Sequence, residues 1–165
     1  MGKEVEEEYL LLQQGLGDCM REVQFTILGE PRGKGRPRFA KSGNFVKTYT
    51  PEETLNYEAY VKMCYIQAAN GIKLEGAISA NITCYYSVPK SVSKKKREEM
   101  LCGYYPCQKK PDLDNIIKSI LDALNTIAFD DDKQITLMLI KKVYGDVPRI
   151  EVRLCEMETD NEEIH

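Results

Sequence analysis

One stretch of the chain carries a particularly clear hydrophobic periodicity. Between residues 113 and 124, apolar side chains recur at the three- and four-residue spacing of a single buried helical stripe. The stripe consists of Leu113, Ile116, Ile117, Ile120, Leu121 and Leu124. Asp114, Lys118 and Asp122 are spaced four apart and therefore share the opposite, polar face. The pattern predicts an amphipathic helix over residues 113–124.

Alternation of apolar and polar residues predicts strands elsewhere in the chain. They cover residues 21–28, 77–88, 135–144 and 149–154. Residues 145–148, Gly-Asp-Val-Pro, read as a hairpin turn that joins the last two strands.

Two further helices are predicted between the strands. One begins at Thr50-Pro51, with Thr50 as its cap, and stops at Asn70-Gly71. Its apolar stripe includes Leu55, Ala59, Met63, Ile66 and Ala69, and its tyrosines are expected in the core or at its rim. The other is capped by Ser93 and runs through Leu101. This order predicts an α+β fold, a mixed β-sheet packed against helices.

A basic segment that is interrupted by glycine and proline follows the first strand. It reads Arg32-Gly33-Lys34-Gly35-Arg36-Pro37-Arg38, so four cations are displayed on a loop. Guanidinium groups bind phosphates with two hydrogen bonds, which favours contact with a nucleic-acid backbone over the alternative of a solvated linker. A second cationic run, Lys94, Lys95 and Lys96, lies at the positive end of the short helix, where a sequence selected only for stability would place acids. This placement predicts that the run faces DNA, with simple solvation as the alternative.

Carboxylates gather at both ends of the amphipathic helix. Asp112 and Asp114 lie at its start, and Asp130, Asp131 and Asp132 follow it. Helix capping, an Asp114–Lys118 ion pair and a solvated turn would explain each feature singly. Together they favour a site for a hard divalent cation, which relieves the repulsion between carboxylates. A helix of ~18 Å followed by a linker that spans up to ~26 Å lets the two clusters meet.

At these residues the chain resembles a known family. The motif K-P-D-L-D-N-x-x-K followed by D-D-x-Q is similar to the signature of RusA-type Holliday junction resolvases, and the resemblance covers roughly residues 23–154. It implies an endonuclease that depends on Mg²⁺, with Mn²⁺ as a substitute, and that resolves four-way junctions as a homodimer in DNA recombination and repair. By this resemblance the metal ligands are Asp112, Asp114 and Asp132, with Asp131 as the alternative third ligand, and the essential lysine is Lys118.

The net charge differs between the ends and the middle of the chain. The net charge is −3, but residues 1–20 hold one basic and five acidic side chains, and residues 155–165 hold five acidic and no basic ones. Residues 21–154 hold 22 basic and 16 acidic side chains, a net charge of +6. This division predicts an acidic appendage (1–20), a nuclease domain (21–154) and an acidic tail (155–165). A basic body suits a polyanionic partner.

The hydropathy, the cysteines and the single histidine exclude several classes of protein. No apolar run is long enough to span a membrane, and the start does not resemble a signal peptide. The six cysteines contain no C-x-x-C pair, so we expect reduced thiols in a cytoplasmic protein and no zinc site. We also expect no small-molecule cofactor. The single histidine, His165, lies in the acidic tail, which leaves activation of water to the metal.

Two other functions would explain part of this sequence. A non-catalytic DNA-binding module would need the basic loop but not the acids beside it. Another Mg²⁺-dependent phosphotransfer enzyme, such as a nucleotide-sugar transferase with a D-x-D motif, would need a nucleotide-binding βα unit and a longer chain.

Overall fold

A computed structural model describes residues 19–36, 38–42 and 45–158. Its helices and strands, numbered here in chain order, are β1 (Cys19–Leu28), β2 (Arg38–Ser42), β3 (Phe45–Tyr49), α1 (Glu52–Ala69), β4 (Ile78–Ser87), α2 (Lys94–Leu101), α3 (Leu113–Leu124), β5 (Ile135–Gly145) and β6 (Arg149–Met157). A short 3₁₀ helix, Asp132–Gln134, leads into β5. Most of the predicted appendage and tail, including His165, lies outside the described residues.

The main sheet has four strands in the order β1-β6-β4-β5. β6 runs antiparallel to both of its neighbours, β1 and β4, whereas β5 runs parallel to β4. The mixed sheet confirms the predicted α+β class. The predicted hairpin between the last two strands is wrong, because β4 lies between them and residues 146–148 cross over its end.

Helices α1 and α3 pack together and form the layer that covers the sheet. The apolar core residues alternate along β1, β4 and β6, as predicted, and those of β4 are Ile78, Ala80, Ile82, Cys84 and Tyr86. Along β5, by contrast, only Gly145 is buried. The predicted stripe of α3 is confirmed, because Ile116, Ile120 and Leu124 are fully buried. Burial of each such side chain contributes about 1.5–3 kcal/mol to folding.

Helix α1 departs from its predicted details. Its N-cap is Pro51, with no side-chain hydrogen bond, so the predicted Thr50 cap is wrong. Its buried face carries Tyr57 and Tyr65, while Leu55 and Met63 of the predicted apolar stripe are more than half exposed. Asn70 adopts the left-handed conformation and ends the helix as predicted.

Two features lie beyond the sequence-based predictions. β2 and β3 pair as an antiparallel hairpin directly after the basic loop. Cys19 and Cys155, with their Cα atoms 5.7 Å apart, form a disulfide bond between β1 and β6, so the expectation of reduced thiols is wrong for this pair. Among the described residues, no helix combines the length and apolar character needed to cross a bilayer.

Candidate active site

Asp112 and Asp114 lie at the start of α3. Asp112 occupies the N-cap position, yet its side chain makes no capping hydrogen bond, and both carboxylates are exposed. Lys118 is exposed one turn further along, and no ion pair joins it to Asp114 within the described chain. Neither capping nor ion pairing occupies these groups, so they are available to a ligand.

Lys142 of β5 fixes the segment that precedes these aspartates. Its ammonium group donates hydrogen bonds to the carbonyl oxygens of Lys109, at 2.5 Å, and Pro111, at 3.1 Å. Lys109 in turn donates to the Ser87 carbonyl at the end of β4, at 2.8 Å. Both ammonium groups lie within 6 Å of the Tyr86 ring centroid, and burial raises the pKa of the Tyr86 hydroxyl. The start of α3 is therefore anchored at the end where β4 and β5 finish.

The basic loop, residues 31–36, packs against the same helix start. The backbone N–H of Lys34 donates to the Asn115 carbonyl at 3.3 Å. A Cβ atom at Gly33 would lie 2.4 Å from the Asn115 side-chain nitrogen and 3.0 Å from Pro111 Cβ, so a larger residue would require the Asn115 side chain to shift. The two arginines of this loop, Arg32 and Arg36, are exposed. The loop thus presents cations beside the Asp112–Asp114 carboxylates.

Lys34 itself is already paired. Its ammonium group donates to Asp122 of α3 and lies 3.4 Å from Glu58 of α1. The hydrogen bond to Asp122 is the main cause that raises the pKa of Lys34. The phosphate contact predicted for Lys34 would therefore compete with two carboxylates, which indicates that Lys34 anchors the loop.

The other cations predicted to bind DNA have different surroundings. The Arg32 guanidinium lies 6.0 Å from the Tyr57 ring centroid, and burial raises the pKa of Tyr57 to about 12. Arg38 begins β2, and its side chain lies outside the described residues.

The lysine run at 94–96 opens α2 and is exposed. The Ser93 hydroxyl accepts a hydrogen bond from the Lys96 backbone N–H at 3.3 Å, which confirms the predicted cap. Arg97 donates to Asp146 at 3.0 Å, directly after β5. This second basic segment therefore lies at the same end of the sheet as the basic loop and the start of α3.

The three aspartates after α3 have three different roles. Asp130 pairs with Lys73. Asp131 accepts a hydrogen bond from the Lys133 N–H at 3.0 Å, and the Gln134 side-chain oxygen accepts one from the Asp131 N–H at 3.1 Å, which completes a capping box. Asp132 is exposed, and its side chain makes no hydrogen bond or ion pair among the described residues; its carbonyl oxygen accepts a hydrogen bond from the Ile135 N–H. These roles favour Asp132 over Asp131 as the residue available for chemistry.

A single chain does not bring the two clusters together. Asp132 precedes β5, whereas Lys142, near the end of that strand, holds the segment before Asp112. From Ile135 to Lys142 an extended strand rises about 23 Å, at about 3.3 Å per residue. Ligands of one Mg²⁺ ion each lie about 2 Å from it.

No group of three or more His, Cys, Asp or Glu side chains within the described ranges could hold a metal ion. The expectation that the linker after α3 returns to the helix start is thus wrong. The linker instead leads to the opposite end of the sheet, because β5 must begin beside the start of β4. The predicted ligands of one chain do not fit a divalent ion.

Comparison with known proteins decides the family. The family model described as endodeoxyribonuclease RusA matches residues 29–155. The chain belongs to the RusA endodeoxyribonuclease family. YqaN of Bacillus subtilis (strain 168), a protein described as uncharacterized, is 34% identical over 142 residues, which cover 85% of this chain and 98% of YqaN. Membership of the RusA family implies a nuclease of the Holliday junction class that requires a divalent metal ion.

Sequence reasoning missed two supporting residues of this RusA-family chain. Gln134 belongs to an Asp-x-x-Gln capping box, a pattern that the sequence contains at 131–134. Lys142 has no comparable signal, because a lysine in an alternating strand does not reveal which carbonyl groups it reaches.

Proposed function

We propose that this protein is a structure-selective endodeoxyribonuclease that resolves four-way junctions by paired phosphodiester hydrolysis in DNA recombination and repair. One observation carries the proposal: the basic loop docks on the helix start that presents Asp112 and Asp114. Cations that grip a DNA backbone would therefore hold a phosphate beside free carboxylates. A non-catalytic DNA-binding module would gain nothing from acids at this position, because they repel phosphate.

The proposed roles follow from the surroundings of each residue. Asp112, Asp114 and Asp132 are the catalytic carboxylates. Lys118, exposed on the same helix face as Asp114, is placed to stabilise the negative charge that builds up on the phosphate oxygens during hydrolysis. Two basic segments grip the backbone of the junction: Arg32, Arg36 and Arg38 in the first, and Lys94, Lys95 and Lys96 in the second. Lys34, which is engaged by Asp122 and Glu58, anchors the first segment.

We also propose the ion and the assembly. Mg²⁺ is the expected ion, with Mn²⁺ as a substitute, and we assign it no step because the carboxylates of one chain do not form its site. A four-way junction is two-fold symmetric, so a homodimer matches it. The cytoplasm, where chromosomal DNA of a bacterial relative lies, is the proposed location.

A substrate panel tests the function. A synthetic four-way junction, a linear duplex of the same sequence and single strands are incubated with the protein, with Mg²⁺ or with a chelator. We expect cleavage of the junction alone, only with the ion, and none with Asp114→Asn. Glu158→Gln, which removes an exposed carboxylate beyond β6, is the matched control and should cleave like wild type. Equal cleavage of the linear duplex would contradict junction selectivity.

A further inference from the structure

Two neighbouring tyrosines lie on the surface between α2 and the candidate active site. Tyr104 is 70% exposed and Tyr105 is 40% exposed. Within the described residues, the Tyr104 side chain makes no hydrogen bond and no contact with another ring or with a cation. Packing of the core therefore does not account for the Tyr104 ring.

Hydrogen bonds hold the turn that carries Tyr104. Gly103, with a φ of 81°, ends α2 in a Schellman motif. Its N–H donates to the Met100 carbonyl at 3.1 Å. The Tyr104 N–H donates to the Glu99 carbonyl at 3.0 Å. A residue at the position of Tyr104 in this motif often packs on apolar side chains of the last helical turn, but Glu98 and Glu99 stand there instead. The Tyr104 ring is therefore presented to solvent from a fixed turn.

Tyr105 is held through its side chain. Its hydroxyl donates to the Glu99 carboxylate at 3.3 Å, and the Lys96 ammonium group lies 5.4 Å from its ring centroid. Lys96 belongs to the exposed lysine run at 94–96, which is proposed to grip the DNA backbone. A nucleotide whose phosphate contacts Lys96 therefore has its base within reach of the two rings.

A short anchored segment joins the tyrosines to the active site. Tyr104 and Asp112 are eight positions apart, so their backbones are separated by about 29 Å at most. Cys107, between them, is buried in the core, and Lys109 donates to the Ser87 carbonyl at 2.8 Å. One turn of duplex DNA is about 34 Å long. A single junction can therefore contact the rings and the carboxylates at the same time.

An unstacked nucleobase is the ligand that this surface fits. Proteins bind exposed bases by stacking them on aromatic rings, beside cations that contact the backbone. Inside a linear duplex, each base is covered on both faces by its neighbours and offers no face to a protein ring. At the branch point of an open four-way junction, the last base pair of each arm lacks a neighbour on one side. An aromatic ring can take the place of that neighbour.

We propose that Tyr104 and Tyr105 form a stacking platform for a nucleobase that is exposed at the branch point of the DNA. This inference rests on the proposed function and supplies its selectivity. The basic segments bind the backbone of any DNA, whereas the platform binds only where the face of a base is free. Because every base has a flat aromatic face, the platform selects the structure of the DNA and not its sequence.

Binding measurements in a chelator, where no DNA is cut, test the platform. Tyr104→Ala should weaken binding to a four-way junction by about 5-fold or more, the loss expected for one stacked base. Its affinity for a linear duplex of the same sequence should equal that of wild type. If Tyr104→Ala binds the junction as tightly as wild type, or loses the same factor on the duplex, the proposal is overturned.

Two further variants serve as matched controls. Tyr104→Phe keeps the ring and loses only the hydroxyl, so it should bind the junction like wild type. Ile66→Ala removes an apolar side chain that is 56% exposed on α1, and it should also leave junction affinity unchanged. If Tyr104→Phe binds as weakly as Tyr104→Ala, the hydroxyl rather than the ring makes the contact, and the stacking platform is wrong.

A photochemical cross-link locates the base. Iodouracil, which reacts with aromatic side chains close to it under near-ultraviolet light, replaces a thymine either at the branch point or in the middle of an arm. Wild type should cross-link to the junction labelled at the branch point, and the double variant Tyr104→Ala, Tyr105→Ala should not. Equal cross-linking of both proteins, or of both junctions, would contradict the proposal.

The platform and the proposed cleavage fail separately. If wild type binds the junction through these tyrosines but does not cut it with Mg²⁺, only the proposed function is wrong. If wild type cuts the junction and Tyr104→Ala binds and cuts it equally well, only the platform is wrong. A wild-type protein that binds no junction contradicts both.

Discussion

The aspartates of this chain show how similar residues divide between structure and chemistry. Asp131 caps the 3₁₀ helix and Asp130 pairs with Lys73, whereas Asp112 holds the N-cap position of α3 without using its side chain. Sequence reasoning could mark all of these carboxylates, because they cluster and repel each other. It could not rank them, because the ranking depends on which backbone N–H groups their oxygens reach.

Substitution of the carboxylates separates chemistry from binding. Asp112→Asn, Asp114→Asn and Asp132→Asn should each abolish junction cleavage. Affinity for the junction, measured by gel shift in a chelator, should stay the same or rise, because a charge that repels phosphate is removed. Asp131→Ala should instead destabilise the fold by about 1 kcal/mol, as expected for a lost cap, and retain cleavage. Near wild-type cleavage by Asp112→Asn, Asp114→Asn and Asp132→Asn would contradict the assignment of these aspartates to the active site.

Two cations of the basic loop should respond differently to removal. Arg36 is exposed, so Arg36→Ala should weaken junction binding and reduce the slope of log affinity against log salt by about 0.9 for each phosphate that is no longer neutralised. Lys34 is engaged by Asp122 and Glu58, so Lys34→Met should leave the salt dependence unchanged and slow cleavage by loosening the loop. Binding titrations at several salt concentrations distinguish the two. If Lys34→Met reduces the slope as much as Arg36→Ala does, the phosphate contact predicted for Lys34 is supported.

Lys142 is expected to act as a positioning residue. Lys142→Met removes both hydrogen bonds to the segment before Asp112, and a small misplacement of reacting groups costs about 10- to 100-fold in rate. The single-turnover cleavage rate should fall by this amount, with a much smaller change in junction affinity. Lys62→Met, a partly exposed lysine of α1, is the control and should cleave normally. A Lys142→Met protein that loses affinity but not rate would argue for a DNA contact instead.

At the scale of helices and strands, much of the fold was predictable. Helix α3 matches its predicted bounds because its apolar stripe is clear and Gly and Pro are absent from it. The strands β1, β4, β5 and β6 were predicted with small shifts at their ends, and β6 runs on through Cys155 to Met157. The buried face of α1 was misassigned because tyrosine, which can lie in the core or at a surface, forms that face.

The connections were harder to predict than the elements. The hairpin of β2 and β3 was missed, although Gly43-Asn44 between two short runs is a known hairpin signal. The turn at 145–148 was interpreted as a hairpin because short connections usually join neighbouring strands. Insertion of β4 between β5 and β6 depends on long-range pairing, which local patterns do not encode.

An ion pair between β1 and β6 predicts a pH effect on stability. Burial raises the pKa of Glu156, but hydrogen bonds from the Glu75 N–H and from Arg21 outweigh it and leave the pKa below its usual 4.5. Since this folded-state pKa is lowered, the stabilisation is present above the unfolded value and is lost as the pH falls through the folded one.

Glu156→Gln should therefore lower the free energy of unfolding at pH 7 by about 1 kcal/mol, because the Arg21 side chain is 40% exposed and water screens the pair. Its thermal midpoint should also fall less steeply than that of wild type below pH 4.5. Glu158→Gln, an exposed neighbour, should follow wild type at every pH. If the thermal midpoints of wild type and Glu156→Gln fall in parallel as the pH is lowered, the stabilising role assigned to the Arg21–Glu156 ion pair is contradicted.

At the scale of the whole molecule, the sequence indicates the chemistry of the site but not how the parts of the site come together. Motif spacing identified the family and the candidate carboxylates, and the RusA match confirms the family. Whether the two clusters meet depends on where α3 and β5 run, and local sequence patterns do not encode this. The sequence also predicts the alternating strands 135–139 and 150–154 as candidate dimer contacts, with the core as the alternative for both. The structure places 150–154 in the inner strand β6, where Ile150, Val152 and Leu154 belong to the core. The other segment, 135–139, lies in β5, the outer strand of the sheet among the described residues.

The most direct test of the account is cleavage of a supercoiled plasmid that extrudes a cruciform. Two opposed cuts at the base of the cruciform within one encounter convert the plasmid to a linear product, whereas a single cut gives a nicked circle. We expect the linear form from wild type with Mg²⁺, and intact supercoils from Asp114→Asn and from a plasmid without the inverted repeat. Equal cutting of both plasmids, or an intact cruciform plasmid with wild type and Mg²⁺, would contradict the account.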